Sequence, residues 1–187
     1  MELRKICKSF GENQVLYNFD LSVPDGARIM LQAPSGRGKT TLLRVMTGLE
    51  TPDSGEVISR PKRQAAVFQE DRLQDDFTPV KCVMMTCARG TTKKDILRDL
   101  AAVGLEGHCD KPVSQLSGGM RRRVAIVRAV MSYADIIYFD EPFTGLDDDT
   151  KRLTADYIIS RCKGKTLVFV SHNAADADLV GAELIKI

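Results

Sequence analysis

No segment of the 187-residue sequence is both long and apolar enough to cross a bilayer. Residues 1 to 20 mix acidic and basic groups with the apolar ones, which excludes a signal peptide of the usual kind. If the protein works at a membrane, another chain must hold it there. An excess of one charge is missing too: 27 basic residues stand against 25 acidic ones, for a net charge of +2. That balance gives no general attraction to a nucleic-acid backbone, and no nucleic-acid partner is expected. Five cysteines (Cys7, Cys82, Cys87, Cys109 and Cys162) are scattered and never spaced as CxxC. Neither a disulfide framework nor a zinc site follows from them, and reduced thiols in the cytoplasm are the simple reading. Internal repeats, low-complexity linkers and coiled-coil heptads are also absent.

What remains is an ordinary globular composition, 43% hydrophobic and 28% charged. The length suits one α/β domain over 1–187 with a small subdomain inserted in it. Strand-like runs at Leu3 to Phe10, Phe19 to Val23, Ala27 to Gln32 and Glu56 to Ser59 suggest a small, largely antiparallel sheet near the amino terminus. Between them, apolar residues at 42, 43, 46 and 49 predict a helix over Lys39 to Leu49, directly after a glycine-rich loop. Residues from about 70 to 115 lack a buried-strand run and read as a helical insert. Within it Thr92 and Asp95 fit a capping box, Ile96, Leu97, Leu100 and Val103 share a helical face, and Gly104 is a plausible stop. The last third returns to α/β alternation, with buried strands at Ile136 to Phe139 and Thr166 to Val170 separated by a helix near Lys151 to Arg161.

Two motifs carry chemistry. Residues 33 to 40, Ala33-Pro34-Ser35-Gly36-Arg37-Gly38-Lys39-Thr40, match the phosphate-loop pattern except that alanine stands at its first glycine. Backbone N–H groups of such a loop turn inward around a β-phosphate, and the following helix aims its positive end at the same anion. Gly36 and Gly38 permit that backbone, Lys39 can reach the β- and γ-phosphates, and the Thr40 hydroxyl suits Mg²⁺. If position 33 needs positive φ, its alanine costs on the order of 1 kcal/mol, which the loop is expected to survive. The second motif is Ile136-Ile137-Tyr138-Phe139-Asp140-Glu141, an apolar strand ending in two carboxylates. Asp140 can hold Mg²⁺ and Glu141 can orient and deprotonate an attacking water.

Leu116-Ser117-Gly118-Gly119-Met120, shortly before the acidic strand, resembles the signature of the ATP-binding-cassette (ABC) family, and the resemblance extends over essentially the whole chain. Gln69 matches the family's glutamine loop, Gly145-Leu146-Asp147 its aspartate loop and His172 its switch histidine. Phe10 lies where the family usually has an aromatic residue stacking on adenine, although a core phenylalanine explains it nearly as well. Met120 stands where glutamine is frequent, outside the phosphate-contacting core. Arg121, Arg122 and Arg123 oppose the dipole of the helix that Ser117 caps, so either neighbouring acids or solvent must compensate, and a solvated face is the expectation for them.

The resemblance implies a P-loop NTPase core with a mostly parallel sheet, an antiparallel amino-terminal subdomain and an inserted helical one. It implies ATP on residues 33 to 41, Thr41 included, with Mg²⁺ held by Thr40, Gln69 and Asp140. Glu141 would direct water at the γ-phosphate, assisted by Lys39 and His172. Ser117, Gly118 and Gly119 would complete the site of a second cassette across a head-to-tail pair, with Asp147 transmitting between sites. The implied setting is a transporter, with ATP hydrolysis driving a transmembrane permease from the cytoplasmic face of the membrane. The short insert and the Gly-Gly-Met variant look like importers of small anions such as nitrate, sulfonate or taurine, which work with a substrate-binding protein. A soluble cassette ATPase outside transport is the alternative. With its end at Lys186-Ile187, soon after His172, the chain is expected to be a minimal cassette.

Overall fold

The computed structural model describes residues 1–32 and 38–187. The expectations placed on Ala33, Pro34, Ser35, Gly36 and Arg37 lie outside the described residues. Five strands make a wholly parallel sheet: β3 (Arg28–Gln32), β5 (Gln64–Val67), β6 (Ile136–Asp140), β7 (Thr166–Ser171) and β8 (Glu183–Lys186), in the order β5-β6-β7-β3-β8. A second, antiparallel sheet has the order β2-β1-β4, from β1 (Glu2–Phe10), β2 (Asn13–Ser22) and β4 (Ser54–Ile58). The run Ala27 to Gln32, which the sequence groups with the antiparallel strands, instead pairs in parallel with β7 and β8. Strand order depends on which faces must be covered, and neighbouring strand-like runs do not carry that information.

Successive side chains of a strand point to opposite faces, so a strand buried on both sides is apolar along its middle and keeps polar groups to its ends. Every residue of β6 and β7 is buried. Ile136, Tyr138, Val168 and Val170 face a core shared with Leu42, Leu43, Val45 and Met46 of helix α1 (Lys39–Thr47) and with the antiparallel sheet. Ile137, Phe139, Leu167 and Phe169 face the other core, where the Phe139 and Phe169 rings stack at 4.8 Å. Tyr138 is buried enough that its phenol is pushed well above the ordinary tyrosine range.

Between β5 and β6 lie helices α2 (Pro79–Met84), α3 (Lys93–Ala101) and α4 (Gly118–Val130), with single 3₁₀ turns at Glu106–His108 and Val113–Gln115. The Thr92 and Asp95 box forms: Asp95 N donates to Thr92 Oγ1 at 3.2 Å and Thr92 N to Asp95 Oδ2 at 3.0 Å. The Thr92 hydroxyl also donates to Asp95 Oδ2 at 2.6 Å, and this bond first, then the one from Thr92 N, holds the Asp95 carboxyl below its ordinary range. Val83, Ile96, Leu100 and Val103 join the core on the α4 side of the main sheet. Helix α5 (Asp148–Arg161) and α6 (Ala175–Val180) follow β6 and β7. Helix α1 stops two residues before Leu49, because Gly48 takes φ +80° and its N–H closes on the Val45 carbonyl. Leu49 is left exposed.

The three consecutive arginines do not form a solvated face. Arg122 is 7% exposed, pairs with Asp71 at 3.2 Å, and donates to the carbonyls of Phe68 and, at 2.6 Å, Gln69. Arg123 donates to the Val103 carbonyl at 2.6 Å and Arg121 pairs with Asp75 at 2.9 Å. Their charge opposes the α4 dipole, and acids and carbonyls of the insert compensate for it.

A buried carboxylate joins the insert to the last third of the chain. Asp99 on α3 accepts from Arg161 Nε at 2.9 Å and from the Tyr157 hydroxyl at 3.1 Å, both on α5. Asp99→Ala is expected to destabilise the protein by about 2 kcal/mol, because the tyrosine hydroxyl loses its partner while the half-exposed guanidinium recovers water. Urea unfolding followed by far-UV circular dichroism measures the change; a midpoint equal to that of the parent would contradict it.

Candidate functional site

A parallel sheet gathers the residues at its carboxyl ends along one edge, and the helices that follow point their amino ends the same way. At that edge lies a cavity of about 490 Å³. Gly38, Lys39, Thr40 and Thr41 enter it from the start of α1, and Gln69 from the segment after β5. Asp140 and Glu141 reach it from the end of β6, and His172 from the end of β7. Eight of the residues expected from sequence thus meet in one place.

Helix α1 begins without a side-chain hydrogen bond on its amino end, where Gly38 serves as cap. Orphan amide N–H groups at a helix start favour an anion. Gly38 is glycine for two reasons: its φ is +79°, and a Cβ there would stand 2.4 Å from Val15 Cγ1 of β2. The antiparallel sheet therefore presses directly on the start of the helix. Lys39, the first residue of the helix, is largely buried beside that amino end.

Thr40 Oγ1 donates to Asp140 Oδ2 at 2.7 Å, bringing a hydroxyl and a carboxylate to one point on the cavity wall. Asp140 is 1% exposed, and burial pushes its carboxyl above the ordinary range while the bond from Thr40 draws it back. Glu141 adopts φ +50°, an uncommon conformation for a residue with a side chain, and its N–H donates to the Val170 carbonyl at 2.9 Å. That turn directs its carboxylate to His172 Nδ1, 2.8 Å away, while the Thr144 hydroxyl lies at 3.4 Å. The histidine side chain is 63% exposed and so open to a ligand.

Of the described residues, the other expected ones do not line this cavity. Ser117 caps α4, accepting from Met120 N at 3.3 Å. A Cβ on Gly119 would come within 3.1 Å of Leu146 Cδ2 and 3.4 Å of the Gly145 carbonyl, whereas one on Gly118 would meet nothing within 4 Å. Asp147 caps α5, accepting from Thr150 N at 2.9 Å and from the Thr150 hydroxyl at 2.8 Å, and these bonds hold its carboxyl below the usual range. Phe10 is 49% exposed beneath Lys8 Nζ, 5.2 Å from its ring centroid, so it is not a core residue; it also lies outside the cavity lining. Neither Val15 nor the Arg122 clamp on the Gln69 carbonyl carries a motif that marks it in the sequence. Thr144, three residues after Glu141, has only that spacing to recommend it.

Gly38→Ala is expected to lower stability by about 1–3 kcal/mol and to weaken nucleotide binding, through positive φ and the approach to Val15. Adding Val15→Ala should restore part of the loss, since it removes the nearest of the three contacts a Cβ would make there. Thermal melting and fluorescent-nucleotide titration of the single and double variants check this; a fully additive pair of losses would contradict it.

A sequence profile of the family described as ABC transporter matches residues 16–144. A protein named "Fe(3+) ions import ATP-binding protein FbpC" from Escherichia coli is 34% identical over 194 aligned residues, covering 95% of this chain and 56% of its own length. "Aliphatic sulfonates import ATP-binding protein SsuB 1" from Nocardia farcinica is 38% identical over 174, covering 91% of this chain and 70% of its own. The chain thus spans little more than half of the first relative and about two thirds of the second. Among solved structures, the ATP-binding cassette MJ0796, described as a dimeric post-hydrolysis state bound to ADP and Pi, aligns over 100% of this chain and 93% of that one. Its TM-score is 0.84 and its identity 26%. With the profile covering well over half its residues and the cavity built as described, the chain belongs to the ABC transporter family.

Proposed function

We propose that the chain binds and hydrolyses ATP as the motor subunit of an importer of this family, working as a pair on the cytoplasmic face of a membrane against a separate permease. The observation that carries the reading is the convergence of Lys39, Thr40, Gln69, Asp140, Glu141 and His172, from four separate stretches of chain, on one cavity. Lysine, hard oxygen donors, a second carboxylate and an imidazole are what phosphoryl transfer to water requires.

In this reading Gly38 to Thr41, with the loop before them, hold the phosphate chain, and Lys39 faces its β- and γ-groups. Thr40, Asp140 and Gln69 supply a hydroxyl, a carboxylate and an amide oxygen, donors that suit Mg²⁺ together with waters and phosphate oxygens. Bound there, Mg²⁺ neutralises charge on the β- and γ-phosphates. The Glu141 carboxylate orients a water at the γ-phosphorus and takes its proton, and His172, in contact with Glu141, stabilises the terminal phosphate. Phe10 is exposed enough to stack on a base, and Asp147 heads the helix that leaves the site.

Ser117, Gly118 and Gly119 lie off the cavity of their own chain, and Gly118 has open space where a side chain would be. That supports their use by a second copy, whose terminal phosphate the backbone could approach closely. The dimeric cassette bound to ADP and Pi supports pairing as well. Because ATP would bind both halves of the pair, it favours the closed state, and hydrolysis releases it. Among the described residues no helix is long and apolar enough to cross a membrane, in keeping with a separate permease. A substrate-binding protein would complete an importer. Both relatives are named for import, which favours transport over a soluble cassette, and the 34% and 38% identities to iron and sulfonate importers leave the cargo to other subunits.

Glu141→Gln is expected to lower phosphate release at least about 100-fold while an ATP-bound dimer accumulates on sedimentation. A variant that turns over normally would remove the glutamate from its role. Ser117→Arg should leave the monomer folded but prevent dimer formation in MgATP, since a bulky cation replaces the helix cap at the shared phosphate; an unchanged sedimentation profile would count against the pairing.

A further inference from the structure

Beside the cavity, three polar side chains that the proposed chemistry does not use form a buried chain. Ser171, the last residue of β7, donates Oγ–H to Asp176 Oδ2 at 2.7 Å. Asp176 is 5% exposed, and its second oxygen is paired with Lys151 Nζ. Lys151 belongs to the first turn of α5, where its own N–H donates to the Asp147 carbonyl at 2.8 Å. At the other end, Ser171 Oγ accepts from Asn173 N at 3.0 Å. The serine hydroxyl therefore brackets the backbone of His172 on both sides.

The ordinary reading is that Asp176 pins α6. That turn is already closed without its side chain: Asp176 N donates to the Asn173 carbonyl at 3.1 Å and Ala175 N to Asn173 Oδ1 at 3.1 Å. A buried ion pair is a poor device for stability alone, since its desolvation offsets much of the attraction, but it fixes orientation. What this pair orients is the segment carrying His172, whose imidazole must lie within 2.8 Å of Glu141 for the contact observed.

We propose that Asp176 is a positioning residue for His172, holding the imidazole against Glu141 through Ser171 and, through Lys151, tying it to the first turn of α5 headed by Asp147. Movement of Asp147 would then reach the histidine of the same chain by two side-chain contacts. The link rests on the reading of His172 as the partner of a terminal phosphate, and its test separates the two.

The chain has two histidines, His108 and His172, so the intact protein labelled with ¹³C-histidine gives two ring signals. His108 lies in the insert, at the end of a 3₁₀ turn, and serves as the internal control. Asp176→Asn and Lys151→Gln are each expected to move the His172 signal and leave that of His108 in place. In steady-state assays both should lower kcat about tenfold with KM for MgATP changed less than about twofold, because the phosphate-binding end of α1 is untouched. A His172 signal unmoved in both variants overturns the proposal. If Asp176→Asn fails to fold, Lys151→Gln decides alone, since it acts from another helix. A moved signal with unchanged kcat supports the positioning and overturns the phosphate reading of His172.

Discussion

Burial of both faces of β6 and β7 is the constraint on which the rest of the molecule depends. A strand covered on both sides can carry polar groups only where it leaves the core, and in a parallel sheet all strands leave at the same edge. Asp140, Glu141 and His172 stand at that edge because Ile136 to Phe139 and Leu167 to Val170 are committed to the two cores. The same cores hold α1 by Leu42, Leu43, Val45 and Met46, which sets its amino end opposite the carboxylates. The 2.7 Å bond from Thr40 to Asp140 closes the arrangement. Packing fixes the distance between helix and strand, and a single polar contact fixes the register between their chemistry.

The chemistry was more legible in the sequence than the connectivity. A lysine after glycines and two acids after an apolar run are each demanded by function at fixed spacing, so Lys39, Thr40, Asp140 and Glu141 could be placed before any strand was paired. The run Ala27 to Gln32 looks like its neighbours, and only the requirement to cover β7 on its second side assigns it to the parallel sheet. Strands β5 and β8 are four residues each, too short for a periodic signal, and both lie at sheet edges where burial is partial. Runs of charge such as Arg121 to Arg123 usually mark a solvated face, and nothing in their own sequence signals otherwise. The partners of Arg122 are backbone carbonyls at 68 and 69, and a carbonyl is the same in every residue.

That arginine clamp gives Gln69 a mechanical context. The residue follows β5, and its carbonyl is gripped from α4, the helix that begins with Gly118. A shift of α4 would therefore pull directly on the segment that brings Gln69 to the cavity. On the opposite side, Asp99 fastens α3 to α5, and Asp147 caps that same α5. The insert is thus attached to the site at two polar joints, one through Arg122 and one through Asp99. Each joint is made by a side chain of low exposure, where the interaction is screened little by solvent and depends strongly on geometry.

Glycine usage separates the demands made within this chain from those made outside it. Gly38 is required internally, by its φ and by Val15; at Gly119 a Cβ would crowd the end of the Leu146 side chain at 3.1 Å. Gly118, the first residue of α4, has no such neighbour among the described residues, so no contact there accounts for its missing side chain. A bare backbone there does permit close approach from outside, and in the proposed pair the approaching group is the terminal phosphate held by the other copy. Gly119 meanwhile rests on the loop that leads to Asp147, so whatever seats against Gly118 presses, through one residue, on the cap of α5. The surface that would receive a partner's nucleotide and the helix that carries Lys151 are thereby in mechanical contact, which is how occupancy of one site could be felt at the histidine of the other.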